Sequence, residues 1–392
     1  MSVSKRIINL VLGLLLFLCL LALGPVVTLK VTLLNTAFVT NRLNDLDMTA
    51  LIRDELPIAN LPSSLPDNFE EVLLNHADEI KQTTIQTVAE SHRYLVNGES
   101  FNLAATIRTN LSRQELGASI IADLDFKSTA QEIIQTIVPP ILSSYNTSPY
   151  LETAVPVMEK WLKAQLEELL PAVYDYLLYP NPPLTVANVP LSDITQEVRL
   201  AIKESFLRSP PSEIADMPPV LLAAAFDLGW NSIQSDVPES LAIDFSKAFG
   251  SPGGTARVLN ETQKVLNEAQ LWAKRCQTGF LVLAVTTAVL TIVIAIINRG
   301  CAASYFILGL ASACAGLISL FGSLLGQNAI RTLLTGNDFR FALETWILHL
   351  TGDIFRPLLI FAAVCVLVGA TLLATDYFVR QRLNMKADSK HP

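Results

Sequence analysis

Two Asp-x-Asp pairs, Asp45/Asp47 and Asp123/Asp125, come closest in type and spacing to a site of chemistry. Alternate carboxylates in a loop can hold a hard cation such as Ca²⁺. No EF-hand pattern accompanies these pairs, and aspartate is also a common cap at the start of a helix. We therefore expect capping, with cation binding as the open alternative.

Other arrangements that carry chemistry are missing from the sequence, which has no HExxH, GxSxG, GxxxxGK[ST] or GxGxxG motif. His76 and His92 lie 16 residues apart, so neither has a partner one helical turn away. We expect no catalytic, cofactor-binding or metal-binding residues, and therefore no enzyme. Three Asn-x-Ser/Thr triplets, which accept glycans in a eukaryotic secretory pathway, begin at Asn110, Asn146 and Asn260.

Hydropathy indicates a membrane protein. Apolar residues make up 51% of the chain and the mean hydropathy is +0.41, which is too hydrophobic for an ordinary soluble protein. Four runs without a charged residue or histidine are long enough to cross about 30 Å of hydrocarbon. They are 7–29, 279–297, 301–326 and 357–375. The sequence thus predicts four transmembrane helices in contact with a lipid bilayer.

The first run could instead be a cleaved signal peptide, because Lys5 and Arg6 form a basic start and residues 22–24 imitate a cleavage site. However, the run is longer than the usual apolar region of about 7 to 15 residues. Pro25 would also hinder cleavage at this position. We therefore favour an uncleaved anchor, with residues 1–30 forming the N-terminal tail and the first span.

Basic residues beside the runs orient the chain, because they resist translocation. They occur before the first run, at Arg299 between the second and third runs, and in the tail 379–392. This pattern predicts cytoplasmic termini and an extracytoplasmic region over 31–277. The loop between the third and fourth runs, with three arginines, fits the rule poorly.

The region 31–275 is strongly acidic. It holds 17 Lys and Arg against 31 Asp and Glu, a net charge of −14, whereas the rest of the chain carries +6. Such a surface argues against nucleic-acid binding. All five cysteines lie in or beside the apolar runs, which excludes a disulfide-rich receptor and a CxxC centre.

Self-comparison of the exposed region predicts an internal duplication. The Asp-Leu-Asp triplets recur at an offset near 80, and Tyr94 and Tyr176 at an offset of 82. Each tyrosine is followed by a short strand-like piece, at 101–105 and at 184–188. The same order of features found twice indicates repeats. We assign them to 35–116 and 117–207, with a third, degenerate unit over 219–249.

We assign the exposed domain to 31–254. Proline and glycine residues divide the rest of its sequence. A helix over 149–178 has an apolar stripe and two prolines, of which Pro171 should bend it and Pro156 should mark its start or a kink. After the loop 251–254, an amphipathic stalk over 255–277 has no Pro or Gly and can continue into the second span.

The membrane part is assigned to 278–378. Between the third and fourth spans, Asn337 and Asp338 can cap an amphipathic helix near 338–352 that lies on the outer membrane surface, with Trp346 at headgroup level. His349 in this helix is expected to be a surface residue.

Small residues mark one face of the third span, because small-xxx-small spacing lets helices approach closely. The contact would lie within the protomer or across a homo-oligomer. The glycines concerned are Gly309, Gly316, Gly322 and Gly326. In the second span, Thr286, Thr287 and Thr291 could line the pore of an oligomer.

The sequence therefore predicts a mainly all-α, polytopic membrane protein with a large, mostly helical extracytoplasmic domain. The favoured function is non-catalytic: this domain binds an unidentified ligand, partner protein or envelope component in a sensor-like or scaffold role. The alternative is an oligomeric channel or transporter subunit with the domain as a vestibule.

Overall fold

The computed structural model describes residues 3–55, 66–137, 148–233, 237–250, 253–298, 303–335 and 341–388. Almost all of this chain is helical, with one small sheet. The helices of the first half are α1 (Val3–Val31), α2 (Thr36–Asn44), α3 (Met48–Glu55), α4 (Phe69–Asn75), α5 (Ala77–Asn97), α6 (Leu103–Arg113), α7 (Leu116–Asp123), α8 (Lys127–Ile137) and α9 (Ser148–Leu178). They are followed by β1 (Val186–Pro190), α10 (Ser192–Arg208), α11 (Pro219–Ile233), β2 (Ser240–Asp244), α12 (Phe245–Phe249), α13 (Gly253–Ile297), α14 (Ala303–Thr335) and α15 (Phe341–Asp388).

Among the described residues, four helices are long and apolar enough to cross a membrane. The first, second and fourth each contain a predicted run completely, and the third contains positions 303–326 of the run 301–326. Their candidate spans are Ile7–Val31, Gly254–Ile297, Ala303–Leu334 and Leu343–Arg382. The chain is accordingly an all-α, multi-pass membrane protein. The spans exceed the apolar runs because their helices continue into polar sequence at one or both ends.

The chain folds as two compact units. The membrane unit comprises Met1–Asp54, Val88–Phe101 and Lys264–Pro392, and the acidic unit comprises Glu55–Thr87 and Asn102–Gln263. The predicted repeat 35–116 is therefore divided between the two units, whereas 117–207 lies within the acidic unit.

Close contact between α14 and α15 organises the membrane unit. A Cβ added at Gly316 would lie 2.7 Å from the carbonyl oxygen of Ala362, and one at Gly369 would lie 2.6 Å from the backbone nitrogen of Ala313. Real Cβ atoms do not approach so closely, so only glycine allows this helix separation.

Helix α1 packs beside this pair. Leu16 of α1 is buried together with Ile294 of α13 and Ala311 of α14. Asn9 and Asn298 exchange two side-chain hydrogen bonds, and the Arg380 guanidinium of α15 lies 5.6 Å from the centre of the Phe306 ring. The first turns of α1 and the last turns of α15 therefore lie at the same end of the bundle.

The acidic unit is built around α9, which packs against α7, α8 and α10. Its core holds large apolar side chains, among them Met158 of α9, Ile134 of α8 and Val198 of α10. The strands β1 and β2 form an antiparallel ribbon in which Val186 pairs with Asp244 and Pro190 with Ser240. Helix α9 contains both Pro156 and Pro171 without a break.

Three local predictions differ from the structure. The piece 101–105 is not a strand, because the Asn102 side chain accepts a hydrogen bond from the Ala105 N–H and caps α6. The predicted strand over 184–188 is present as β1, shifted by two residues. The interfacial helix near 338–352 is not separate, since α15 runs without interruption through Pro357.

The predicted stalk and second span form a single helix, α13. At about 1.5 Å per residue its 45 residues extend on the order of 68 Å. Several predicted features lie outside the described residues, namely Asn146, the loop positions 251–252, Arg299, the cap at Asn337 and Asp338, and the tail positions 389–392.

Candidate functional site

Helix α11 in the acidic unit is apolar on both sides. Its inner side buries Leu222, Phe226 and Trp230. Its opposite side leaves Val220 79% and Leu228 73% exposed. We call that opposite side the α11 outer face, which consists of Val220, Leu221, Ala224, Ala225 and Leu228. Contiguous exposed apolar side chains of this kind are typical of interaction surfaces.

Core and ionic contacts fix the orientation of α11. The Phe226 and Trp230 rings stack at 6.0 Å between centroids within the core. Asp227 accepts hydrogen bonds from Arg199 at 2.7 Å and Lys203 at 2.6 Å, both on α10. The bonds from Lys203 and Arg199 hold the pKa of the Asp227 carboxyl below its ordinary value. Helix α11 is thus held in place by contacts of its inner side, and its outer face remains exposed to solvent.

His76, between α4 and α5, lies between two carboxylates. Its Nδ1 is 3.0 Å from Glu79 and its Nε2 is 2.9 Å from Asp123, the last residue of α7. Burial opposes protonation, but the hydrogen bonds and negative charges of Glu79 and Asp123 outweigh it, so the pKa of His76 is raised. Ser119 donates to Glu79, not to the imidazole, and the cluster therefore lacks the nucleophile-to-base contact of a catalytic triad.

In each Asp-x-Asp pair, the second aspartate caps a helix and the first forms an ion pair. Asp47 and Asp125 accept backbone N–H groups at the starts of α3 and α8, at 3.0 and 2.9 Å. Asp45 pairs with Arg42 at 2.8 Å, and Asp123 pairs with the histidine between α4 and α5. Within the described part of the chain, no group of three or more His, Cys, Asp or Glu side chains is arranged to hold a metal ion.

The other two described histidines have different surroundings. His92 is buried in the membrane unit, where its Nε2 donates to the Leu33 carbonyl and its Nδ1 accepts from the Thr36 hydroxyl. It thereby ties α5 to the start of α2. His349 is exposed, as predicted for a surface residue.

Two of the three glycosylation triplets can be located. Asn110 is fully buried in α6 and donates to the Thr87 hydroxyl, so a glycan on it is incompatible with this fold. Asn260 is exposed on α13.

A crevice of about 450 Å³ lies in the membrane unit between α2, α3 and the first turns of α15, away from the first turns of α1 and the last turns of α15. Arg42 crosses it, with Nη1 2.8 Å from Asp45 and Nη2 3.1 Å from Asp353 of α15. The indole N–H of Trp346 donates to the Arg42 carbonyl at 2.8 Å. Trp346, predicted to lie at headgroup level, therefore fastens α15 to α2.

A larger cavity, which we call the α1–α14 groove, lies at the opposite end of the membrane unit. Its volume is about 580 Å³, and its walls are mainly aliphatic and aromatic. Its lining includes Leu10, Leu14, Phe17, Phe306, Leu310 and Arg380.

The small residues of the third span pack within the protomer. Gly309, Gly316 and Gly326 each lie against α15, whereas a Cβ at Gly322 would meet nothing within 4 Å. Contact across a homo-oligomer at Gly322 stays a prediction.

The three threonines of the second span do not line a channel inside the described chain. Thr286 and Thr291 are exposed, and Thr291 donates back to the Thr287 carbonyl on the same helix. A pore lined by these residues would require several copies.

Sequence reasoning missed both the α11 outer face and the α1–α14 groove. The first had a signal: Asp227 is the only polar residue between Val220 and Leu228, so this helix is apolar on most of its circumference although it lies in an otherwise acidic exposed region. The groove had none, because residues from three distant helices form it. Comparison with protein-family models, with curated proteins and with solved structures finds no match.

Proposed function

We propose that this chain is a non-catalytic integral membrane protein whose acidic unit binds a protein partner through the α11 outer face, in a scaffold or sensor-like role. The observation that carries the proposal is the exposure of Val220 and Leu228 on a helix whose other side is fixed in the core. If this apolar face served only the folding of the acidic unit, other residues of that unit would cover it.

Charge favours a protein over a membrane as the occupant of this face. The acidic unit contains 11 Lys and Arg against 25 Asp and Glu, a net charge of −14. Anionic lipid headgroups would be repelled by this surface. The partner that fits carries apolar anchors surrounded by basic side chains, because such a surface complements both properties.

The proposed orientation has both termini in the cytoplasm and residues 31–277 outside it. Basic residues before α1 and in the tail support this assignment. The contacts of Asn9 and Arg380 at one end of the bundle also support it. Leu16 and Asn9 engage neighbouring helices, which favours retention of α1 as an anchor over its removal as a signal peptide.

We also retain the internal duplication as a proposal, now reduced to a local motif. In both copies a helix ends at the first aspartate of Asp-Leu-Asp or one residue before it, the leucine is buried, and the second aspartate caps the next helix. The motif comprises α2 and α3 in one copy and α7 and α8 in the other.

The partner-binding proposal is tested by placing a photo-crosslinking amino acid at Leu228 or Leu200 of the full chain in its native membrane. Leu200 on α10 is 64% exposed in the same unit and serves as the matched control. We expect a discrete protein adduct from position 228 alone. The purified adduct partner should bind the reconstituted chain at least tenfold more weakly after Leu228→Asp, and normally after Leu200→Asp.

Equal adducts at both positions, or unchanged affinity after Leu228→Asp, would overturn the proposal. Binding should also weaken with added salt if the partner's rim is basic. Because Leu228 is exposed, its substitution should leave the circular dichroism spectrum of the chain unchanged.

A second candidate function is the oligomeric channel. It is favoured by α13, of whose most apolar stretch only 6% is buried, against 33% in α14. The polar Thr286 and Thr291 on its free side could face other copies. Light scattering in detergent and conductance of liposomes containing the chain test this candidate: a monomer without conductance would exclude it.

A further inference from the structure

The α1–α14 groove lies between two helices that are apolar enough to span a membrane, and Leu10 and Leu14 of its lining are exposed, so an acyl chain can reach it. Leu10, Leu14 and Phe17 of α1 form one wall, and Phe306 and Leu310 of α14 form the other. The volume of about 580 Å³ is within the range of about 300 to 1,000 Å³ that is usual for sites of small molecules. The walls offer an aliphatic chain continuous apolar contact.

The depth of the groove depends on the approach of α1 to α14. A Cβ at Gly13 would lie 2.9 Å from the Ile307 side chain, so glycine allows the two helices to meet at the base of the groove. Leu10 and Leu14, close to this contact in sequence, line the groove and remain exposed. The groove is consequently a feature of the helix packing and not of one side chain's rotamer.

Arg380 provides a charged group at one end of the groove. Its Nε donates to Asp376, 3.0 Å from Oδ1 and 2.9 Å from Oδ2, while its guanidinium lies over the Phe306 ring. The side chain is 55% exposed, and its two terminal nitrogens have no partner among the residues that the structure describes. These nitrogens can bind two oxygens of a phosphate at once.

Asn9, another polar residue of the lining, is buried and paired with Asn298. Its amide donates to Asn298 at 2.8 Å and its carbonyl oxygen accepts from Asn298 at 3.0 Å. Because Asn9 is only 5% exposed, its remaining hydrogen-bonding capacity is not accessible to a headgroup. Recognition of a headgroup in this groove therefore depends on Arg380.

We propose that the α1–α14 groove binds one anionic glycerophospholipid, with an acyl chain along the apolar walls and the phosphate at Arg380. Charge complementarity supports this occupant, because the segments at this end of the bundle are basic. Residues 3–9 carry Lys5 and Arg6 and no acid, and the end of α15 over 379–388 carries three basic residues against one acid. Basic pockets between transmembrane helices are known to hold such headgroups.

The test is native mass spectrometry of the full chain, delipidated in detergent and titrated with dioleoyl phosphatidylglycerol or dioleoyl phosphatidylcholine. We expect one phosphatidylglycerol to bind at least tenfold more tightly than phosphatidylcholine. Arg380→Gln should abolish this preference, and Arg380→Lys should keep part of it as a point charge. Arg382→Gln is the matched control, because Arg382 is exposed on the same helix and does not line the groove.

The acyl-chain contact is tested by a pair of neighbouring leucines. Leu14 is 54% exposed and lines the groove, whereas Leu15 is 45% exposed and does not. Leu14→Trp should fill the groove and weaken phosphatidylglycerol binding at least fivefold, while Leu15→Trp should leave it unchanged. Each variant must melt at the temperature of the parent chain.

Three results would each overturn the proposal. Equal affinity for the two lipids would remove the role of the headgroup charge. Equal losses from Arg380→Gln and Arg382→Gln would indicate a diffuse basic surface. A dimer that Leu14→Trp dissociates would show that a second copy occupies the groove. None of these results bears on the α11 outer face, so the two proposals can fail separately.

Discussion

The two compact units achieve close packing by opposite means. In the acidic unit, the core is filled by large side chains such as Met158, Ile134 and Trp230. In the membrane unit, α14 and α15 meet at Gly316 and Gly369, where the side chains are absent. The difference follows from the solvent: water drives apolar volume into a core, whereas lipid does not distinguish one aliphatic side chain from another. Helices in lipid gain more from close backbone approach.

The largest effect is expected from removing volume in the acidic unit. Trp230→Ala leaves a cavity in the core and should lower the free energy of unfolding by about 3 to 5 kcal/mol. Trp272, 63% exposed on α13, is the matched control, and its replacement by alanine should change stability by less than about 0.5 kcal/mol. Urea unfolding followed by circular dichroism measures both. Similar losses would contradict the assigned core.

Adding volume should be the damaging change in the membrane unit. Gly316→Ala places a Cβ against the Ala362 carbonyl and should destabilise the α14 and α15 contact by about 1 to 3 kcal/mol. Gly322→Ala, which meets nothing within 4 Å, should be neutral or slightly stabilising because alanine favours helix.

The readout is the thermal exposure of Cys365, a buried thiol of α15, to a maleimide dye in a chain without other cysteines. The midpoint temperature of Cys365 labelling should fall for Gly316→Ala and not for Gly322→Ala. If both glycine variants melt with the parent chain, close backbone packing is not what holds this pair.

A smaller effect is expected from the polar contact between α1 and α13. Asn9→Leu or Asn298→Leu leaves the partner amide buried without the two hydrogen bonds of this pair, which should cost about 0.6 to 2 kcal/mol. The double variant should recover part of that loss, because neither amide then remains. A double-mutant cycle on thermal stability in detergent measures the coupling, and additive losses would contradict a direct interaction.

The smallest effect is a pH dependence in the acidic unit. The pKa of His76 is raised in the folded chain, so its stabilisation is complete below the pKa of an unfolded histidine and is lost as pH rises through the folded pKa. Between about pH 6 and 8, near the range of histidine titration, the free energy of unfolding should therefore decline with pH. The expected size is up to about 1 kcal/mol, because both carboxylates are largely exposed.

Two substitutions separate this histidine from the rest of the acidic unit. His76→Gln and Asp123→Asn should flatten the pH slope, whereas Asp125→Asn, which keeps a cap on α8, should not. Urea midpoints measured across the pH range provide the test. A slope that survives His76→Gln would assign the effect to another group.

Sequence patterns predicted what depends on neighbouring residues. The four apolar runs located the spans because hydropathy is summed over a continuous segment, and the helix capping by Asp47 and Asp125 followed from local hydrogen bonding. The strand expected at 101–105 was wrong because five residues of alternating pattern are too few to outweigh an asparagine cap. The strand β1 forms because β2, more than 50 residues away, pairs with it.

The sites depended on contacts that no local pattern records. His76 meets Asp123 across 47 residues, and Arg42 meets Asp353 across more than 300. The α1–α14 groove joins the first helix to the last. The α11 outer face was the exception that the sequence could have revealed. Between Val220 and Leu228 only Asp227 is polar, and a helix of this composition in an acidic region has more apolar surface than one core contact can cover.

The β1–β2 ribbon has a consequence for how the acidic unit assembles. By pairing Val186 with Asp244, it closes a loop that contains α10 and α11. Closing such a loop is entropically costly until the helices inside it have packed, and distant pairings of this kind slow folding. We therefore expect the ribbon to form after α10 and α11 have docked on α9. The pairing of β1 with β2 would then stabilise a helix arrangement that is already present.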